Sequence, residues 1–175
     1  MYSLYYKRYF IIGNVVVAFS IAVQFILIIL FEIYNIKQSS LQVNASFINI
    51  VLYYALFAFI INLIREIIKD IEDIEGDRKC GCKTIPIVMG ILKTKIILSI
   101  LIFILIILLV LVLYRLSYLF IVAVYLSIFM ILPLLYLLYR TLYATHKFEY
   151  SYSSKISKII MLLGILSMFL FEINK

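Results

Sequence analysis

An all-α, polytopic membrane bundle of about five transmembrane helices is the fold class this sequence predicts, on three observations. Of the 175 residues, 66% are apolar and only 14% are charged, and the mean hydropathy is +1.17. A soluble domain is about 45–50% apolar and about 25% charged, and needs that polar share to cover its surface. The apolar residues gather into five runs, and a helix needs about 20 residues to cross the hydrocarbon core of a bilayer. The basic residues collect in alternate segments between those runs. Together these features exclude an ordinary soluble globule, a disordered tail and a disulfide-stapled scaffold.

The runs extend from Phe10 to Phe31, Phe47 to Ile68, Lys95 to Tyr114, Leu116 to Leu138 and Ile156 to Ile173, the last being short for a span. Ile and Val dominate them, which in water would favour strands. In lipid the backbone must satisfy its own hydrogen bonds, so long uninterrupted runs predict helices. A transmembrane barrel would show alternating polarity over about ten residues, and none of the runs does. The first run follows Lys7 and Arg8 as a signal peptide would, but it is too long for a typical apolar signal core and no small-x-small cleavage site follows it. It predicts a retained span. With no Pro/Gly-rich linker and no internal repeat, residues 1–175 read as a single membrane domain.

Five spans create six flanking segments on alternating sides. One side receives Lys7, Arg8, Arg65, Lys69, Arg78, Lys79, Lys83, Lys93, Lys95, Arg140, Lys147, Lys155 and Lys158, which is 13 of the 16 basic residues; the other receives Lys37, Arg115 and Lys175. Basic loops stay in the cytoplasm, so the N-terminus, the segment from Ile68 to Lys95 and the segment from Tyr139 to Lys155 are expected there. The net charge of +7 is therefore a signal of orientation, and no nucleic-acid partner is expected.

Acid is concentrated. Six of the nine acidic residues lie in the twelve positions from Glu66 to Asp77. Glu66, Asp70, Asp73 and Asp77 stand at i, i+4, i+7 and i+11, one face of an α-helix continuing past the second span. Glu72 and Glu75 point elsewhere. Like charges at such spacing repel by a few tenths of a kcal/mol per pair. A hard divalent cation would offset that, and Mg²⁺ is commonly held by one or two carboxylates plus substrate phosphate oxygens. The alternative is a solvated helix end with its acids paired to Arg65, Lys69, Arg78 and Lys79. Arg78, Lys79 and Lys83 follow directly, interleaved with Gly76 and Gly81. Basic side chains beside carboxylate-bound metal are a recurring way to hold a diphosphate, although the orientation rule alone also accounts for them.

The run Arg65-Glu-Ile-Ile-Lys-Asp-Ile-Glu-Asp-Ile-Glu-Gly-Asp-Arg-Lys-Cys-Gly-Cys-Lys-Thr-Ile-Pro86 closely resembles the second aspartate-rich signature of the UbiA-type intramembrane prenyltransferases. The Asp-x-x-x-Asp of that signature falls on Asp73 and Asp77, and its Gly-x-Lys-Thr-x-Pro on Gly81, Lys83, Thr84 and Pro86. The Arg-Glu-Ile-x-Lys-Asp opening looks most like the branch that alkylates geranylgeranylglyceryl phosphate. Tyr6-Lys7-Arg8, followed by Gly13 and Asn14, resembles the basic motif entering the family's fifth helix. The resemblance implies a nine-helix bundle of which the five spans match helices five to nine. It implies Mg²⁺ as cofactor, with Asp73 and Asp77 as catalytic ligands and Asp70 and Glu66 assisting the metal. It further implies diphosphate contacts from Lys7, Arg8, Arg78 and Lys83. A prenyl diphosphate and a membrane-associated acceptor are the implied substrates. The family's first signature, Asn-x-x-x-Asp-x-x-x-Asp, does not occur in these 175 residues. Three functions follow: a prenyltransferase half working with an N-terminal half in trans, an inactive remnant, or a non-enzymatic membrane protein binding divalent cations or lipid phosphate.

Other residues have plainer expectations. Cys80 and Cys82, on the expected cytoplasmic side, are not a disulfide, and two thiols do not complete a zinc site. His146 reads as an interfacial polar residue. Tyr139, Tyr143, Tyr150 and Tyr152 read as an aromatic belt, with lining of an isoprenoid chain as the alternative. Pro133 is expected to kink the fourth span. Gln24 and Asn62, polar within spans, are candidates for interhelical hydrogen bonds.

Overall fold

A computed structural model describes residues 11–39, 45–115 and 120–173, and its regular elements are all helical. Helix α1 (Ile12–Ser39) leads to α2 (Ala45–Glu72), then to two short helices, α3 (Ile74–Lys79) and α4 (Ile85–Met89). Next comes α5 (Ile91–Arg115), followed by α6 (Phe120–Tyr125), a π-helical stretch (Leu126–Ile131) and α7 (Leu132–Tyr143) wound one after another, and then α8 (Lys147–Ile173). Among the described residues, five helical stretches of 20 to 25 residues are long and apolar enough to cross a membrane: Ile12–Phe31, Ile48–Glu72, Ile91–Arg115, Phe120–Tyr143 and Lys147–Leu170. At 1.5 Å per residue they measure about 30–38 Å, which matches the thickness to be crossed.

The fifth span is longer than its apolar run. It begins at Lys147 rather than Ile156, because three polar residues near its start belong to the interior. Ser153, Ser154 and Ser157 are buried. Ser153 donates to the Glu149 carbonyl at 3.0 Å and Ser157 to the Ser153 carbonyl at 3.1 Å. Hydroxyls satisfied by the preceding turn can be buried at little cost. Asn62 does the same, donating to the Ala58 carbonyl of its own helix at 2.8 Å. Gln24 is exposed.

Helix α2 is central and packs against α1, α5 and α8, while α7 closes the bundle by packing on α5 and α8. Between lipid-soluble helices the hydrophobic effect contributes little, so close van der Waals fit and small residues decide the packing. The buried residues include Ala18 and Ala22 on α1 and Ala55 and Ala58 on α2. On α5 the buried positions are Thr94, Leu98, Ile102, Leu105, Leu109 and Val112, whose steps of four, four, three, four and three keep one seam toward its partners. Opposite it, Ile96, Ile100, Phe103, Ile107 and Leu111 are exposed, as suits a lipid-facing surface. On the fourth span the π-helical stretch ends two residues before Pro133, whose missing N–H would leave a carbonyl of the preceding turn unpaired.

The turn between α7 and α8 is tied to the start of α5. Lys95 Nζ donates to the carbonyls of Leu142 (2.9 Å) and Ala144 (2.5 Å), both at the C-terminal end of α7. The Tyr150 hydroxyl donates to the same Ala144 carbonyl at 2.9 Å, and the Glu149 carboxylate accepts the backbone N–H groups of Thr145 (2.5 Å) and His146 (2.9 Å). The Glu149 side chain thus caps the start of α8, and His146 is exposed beside it. Tyr150 is buried, while Tyr139, Tyr143 and Tyr152 are exposed as belt residues would be. A cation at a helix C-terminus contributes up to about 2 kcal/mol when partly buried. Lys95→Met should therefore lower the melting temperature by several degrees in a circular-dichroism scan. A melt identical to that of the parent would show that these carbonyls are satisfied without Lys95.

Candidate functional site

The acidic segment is built by helix punctuation. Helix α2 continues past its apolar run to Glu72, and the backbone kinks at Asp73 (φ −98°, ψ 10°). Helical bonding still bridges the kink, since Asp73 N–H donates to the Lys69 carbonyl and Asp77 N–H to the Asp73 carbonyl, both at 2.9 Å. Asp73 stands at the N-cap of α3, yet its side chain makes no capping bond, whereas an N-cap aspartate ordinarily accepts one from the first turn. At the other end, Gly81 N–H donates to the Arg78 carbonyl (3.2 Å) and Cys82 N–H to the Asp77 carbonyl (2.9 Å), with Gly81 at φ +70°. This is the paired-bond helix stop that favours glycine in the left-handed conformation. Thr84 and Pro86 then open α4, with Pro86 in its first turn, where no backbone donor is needed.

That winding sorts the carboxylates. Asp70 is 3% exposed and Asp77 is 7% exposed. Asp73 and Glu72 are half-buried, and Glu75 is exposed. Glu66 is paired with the neighbouring guanidinium, Arg65 Nη1 to Oε1 at 2.7 Å. Asn14 on α1 donates its side-chain amide to Asp70 Oδ2 at 2.6 Å. Arg78 and Lys83 are exposed beside the buried acids. Lys7 and Arg8 lie outside the described residues. Thr84 is 5% exposed, and its hydroxyl, like Arg65 Nε, has no hydrogen-bond partner. Among the described residues, no three His, Cys, Asp or Glu side chains come together as a ready-made metal cage. The four-carboxylate stripe is therefore divided: Asp70 and Asp77 turn inward, Asp73 is unused by its helix, and Glu66 neutralises Arg65.

The Asn14–Asp70 and Lys95–Ala144 bonds bring the start of α1, the α2–α5 segment and the α7–α8 turn to one end of the bundle, as the charge distribution requires. Below that end, α1, α2 and α8 enclose a nearly all-apolar groove of about 210 Å³. Ile21, Phe25, Phe57, Ala58, Ile61 and Met161 are among its walls. Asn62, also on its wall, is two turns of α2 from Asp70, about 12 Å along the axis.

A model of the UbiA prenyltransferase family matches residues 1–170. The chain belongs to that family. Among curated relatives of this UbiA chain are enzymes named digeranylgeranylglyceryl phosphate synthase. The one from Pyrococcus abyssi is 56% identical over 48 residues, 27% of this chain and 17% of the relative. That from Thermococcus sibiricus is 67% identical over 39 residues, 22% of this chain and 14% of the relative. That from Methanosphaera stadtmanae is 48% identical over 54 residues, 31% and 20% of the two chains. Each match thus spans a fifth or less of the relative's length. No solved structure matches the chain. Two features of this UbiA chain were not singled out from the sequence as parts of the site: the burial of Thr84 and the bond from Asn14. The signal for the second lies in Asn14, Ala18 and Ala22, which repeat every four residues on the face of α1 that meets α2.

Proposed function

We propose that the chain carries the second aspartate-rich half of a prenyltransferase site. The reaction is transfer of a prenyl group from a prenyl diphosphate to a membrane-associated acceptor such as geranylgeranylglyceryl phosphate. The observation that carries this reading is the burial of Asp70 and Asp77 at the end of the bundle where exposed basic residues gather. The donor set suits Mg²⁺, being carboxylate oxygens too few to complete a coordination sphere, which leaves positions for phosphate oxygens and water. When bound, the ion supplies Lewis-acid neutralisation of the diphosphate.

In this reading the Asp73 and Asp77 carboxylates hold the metal, with Asp70 behind them and Glu66 keeping Arg65 neutralised. Arg78 and Lys83 donate to diphosphate oxygens and stabilise the negative charge left on them as the allylic C–O bond breaks. Lys7 and Arg8 add to that set. The apolar groove between α1, α2 and α8 sheathes the isoprenoid tail and keeps water from the reacting carbon. A second carboxylate set, Asn-x-x-x-Asp-x-x-x-Asp, is absent from these residues, and turnover requires such a set in addition.

Titration of the purified chain in lipid nanodiscs with geranylgeranyl thiodiphosphate tests this reading. Binding is expected only when Mg²⁺ is present, without product formation from the true diphosphate by the chain alone. Binding that ignores Mg²⁺ defeats the proposal, and robust turnover by the chain alone removes the need for a second half.

The reading places this end of the bundle in the cytoplasm. Cys80 is exposed and Cys82 buried, so only Cys80 is a useful native probe. A membrane-impermeant maleimide should leave intact cells unlabelled, modify Cys80 after permeabilisation, and reach Cys82 only on unfolding. Labelling of Cys80 from outside would invert the topology.

A further inference from the structure

We propose that Asn14 is a positioning residue: by donating its amide across the α1–α2 contact to the buried Asp70 carboxylate, it fixes the orientation of that carboxylate for the Mg²⁺–diphosphate site. The inference rests on the functional reading above. Its observation is the 2.6 Å bond from Asn14 Nδ2 to Asp70 Oδ2, between residues 56 apart in the chain.

The surroundings explain why a short side chain can make this contact. Ala18 and Ala22 stand one and two turns beyond Asn14 on α1 and are buried. Small residues at these positions let the helix backbones approach closely, and asparagine can then span the gap. The choice of an amide has a chemical consequence. A lysine or arginine here would neutralise Asp70 and compete with a metal ion for it. The amide brings no charge of its own to Asp70, and a hydrogen bond to an ionised acceptor is about twice as strong as a neutral one. Asp70 lies seven residues before Asp77, across the kink at Asp73, and the bond from Asn14 holds one of its oxygens at the α1–α2 contact. Groups that orient metal ligands typically account for 10–100-fold in metal affinity.

The experiment measures the Mg²⁺ concentration giving half-maximal binding of geranylgeranyl thiodiphosphate to the full 175-residue chain in nanodiscs. Asn14→Ala should raise that concentration 10–100-fold, with binding largely recovered at saturating Mg²⁺. Asn14→Gln, which keeps the amide but moves it by one carbon, should give a smaller shift with an unchanged melting temperature, so the result does not depend on the alanine variant folding well. In an Asp70→Asn background, Asn14→Ala should cause no further shift, because its effect passes through that carboxylate. An unchanged Mg²⁺ midpoint in both single variants, or an equal shift in the Asp70→Asn background, would overturn the assignment. If the unmodified chain itself binds the analogue without regard to Mg²⁺, the functional reading fails and takes this one with it. The parent titration alone distinguishes that case.

Discussion

Asp77→Asn is expected to weaken Mg²⁺-dependent binding of a prenyl diphosphate analogue by about 100-fold or more, since a direct ligand should matter at least as much as the groups that orient it. Asparagine is the informative replacement. It keeps the size of a residue that is almost fully buried. The backbone carbonyl of residue 77 accepts the Cys82 N–H and so closes the turn at Gly81, a role that the substitution leaves intact. The loss should appear as a higher Mg²⁺ requirement, while the helical circular-dichroism signal and the melting temperature stay near those of the parent. Asp73→Asn should behave similarly, because the Asp73 side chain makes no bond that caps α3. Glu75→Gln, at an exposed position of the same segment, should change nothing. If all three variants bind equally, the acidic segment is surface charge and no metal site resides there.

The largest effect on stability is expected at Gly164. A Cβ placed there would sit 2.9 Å from Phe57 Cε1, and Phe57 is itself buried on α2. The same crossing carries a short polar chain. Ser167 Oγ donates to the Gly164 carbonyl at 2.6 Å, and so accepts from the Tyr54 hydroxyl, also at 2.6 Å. Overfilling a packed interface costs about 1–3 kcal/mol, which exceeds the roughly 1 kcal/mol that alanine gains over glycine in a helix. Gly164→Ala should therefore be mildly destabilising. Gly164→Leu should separate α2 from α8 and lower the melting temperature by ten degrees or more. Phe57→Leu should partly restore the Gly164→Ala protein by vacating the contested space. A Gly164→Leu protein melting with the parent would mean that the helices do not approach as described.

The five spans and the gathering of three segments at one end were legible because hydropathy and the sidedness of lysine and arginine depend on composition alone. The acidic winding was legible in its spacing, but its division was not. Whether Asp70 faces a partner helix or solvent depends on how closely α1 approaches, and that is set by Ala18 and Ala22 in a distant part of the chain. The start of α8 was missed for a related reason. Serine lowers apparent hydropathy wherever it stands, yet Ser153 and Ser157 hide their hydroxyls in their own helix. Asn62 was expected to bond across helices and instead bonds to the turn before it, a choice that residue type cannot reveal. The trailing Gly-x-Lys-Thr-x-Pro was recognised as a signature. Its local meaning, a left-handed helix stop at Gly81 followed by a proline-opened helix, emerged only from the backbone.

The π-helical stretch of the fourth span acts as a phase correction. The inward residues there are Val122, Leu126, Met130 and Leu134, successive steps of four. In a regular helix of about 3.6 residues per turn, each such step overshoots a full revolution by about 40°, so three of them would carry the seam about 120° around the helix axis. A wider winding, with more residues in each revolution, subtracts from that drift. The interior seam therefore reaches Leu137 and Thr141 still directed at the same neighbours. Straightening this stretch without removing a residue would rotate Leu134, Leu137 and Thr141 away from those neighbours, whereas deleting one residue between Leu126 and Ile131 would let a regular helix keep the same seam, because one of the four-residue steps would become three.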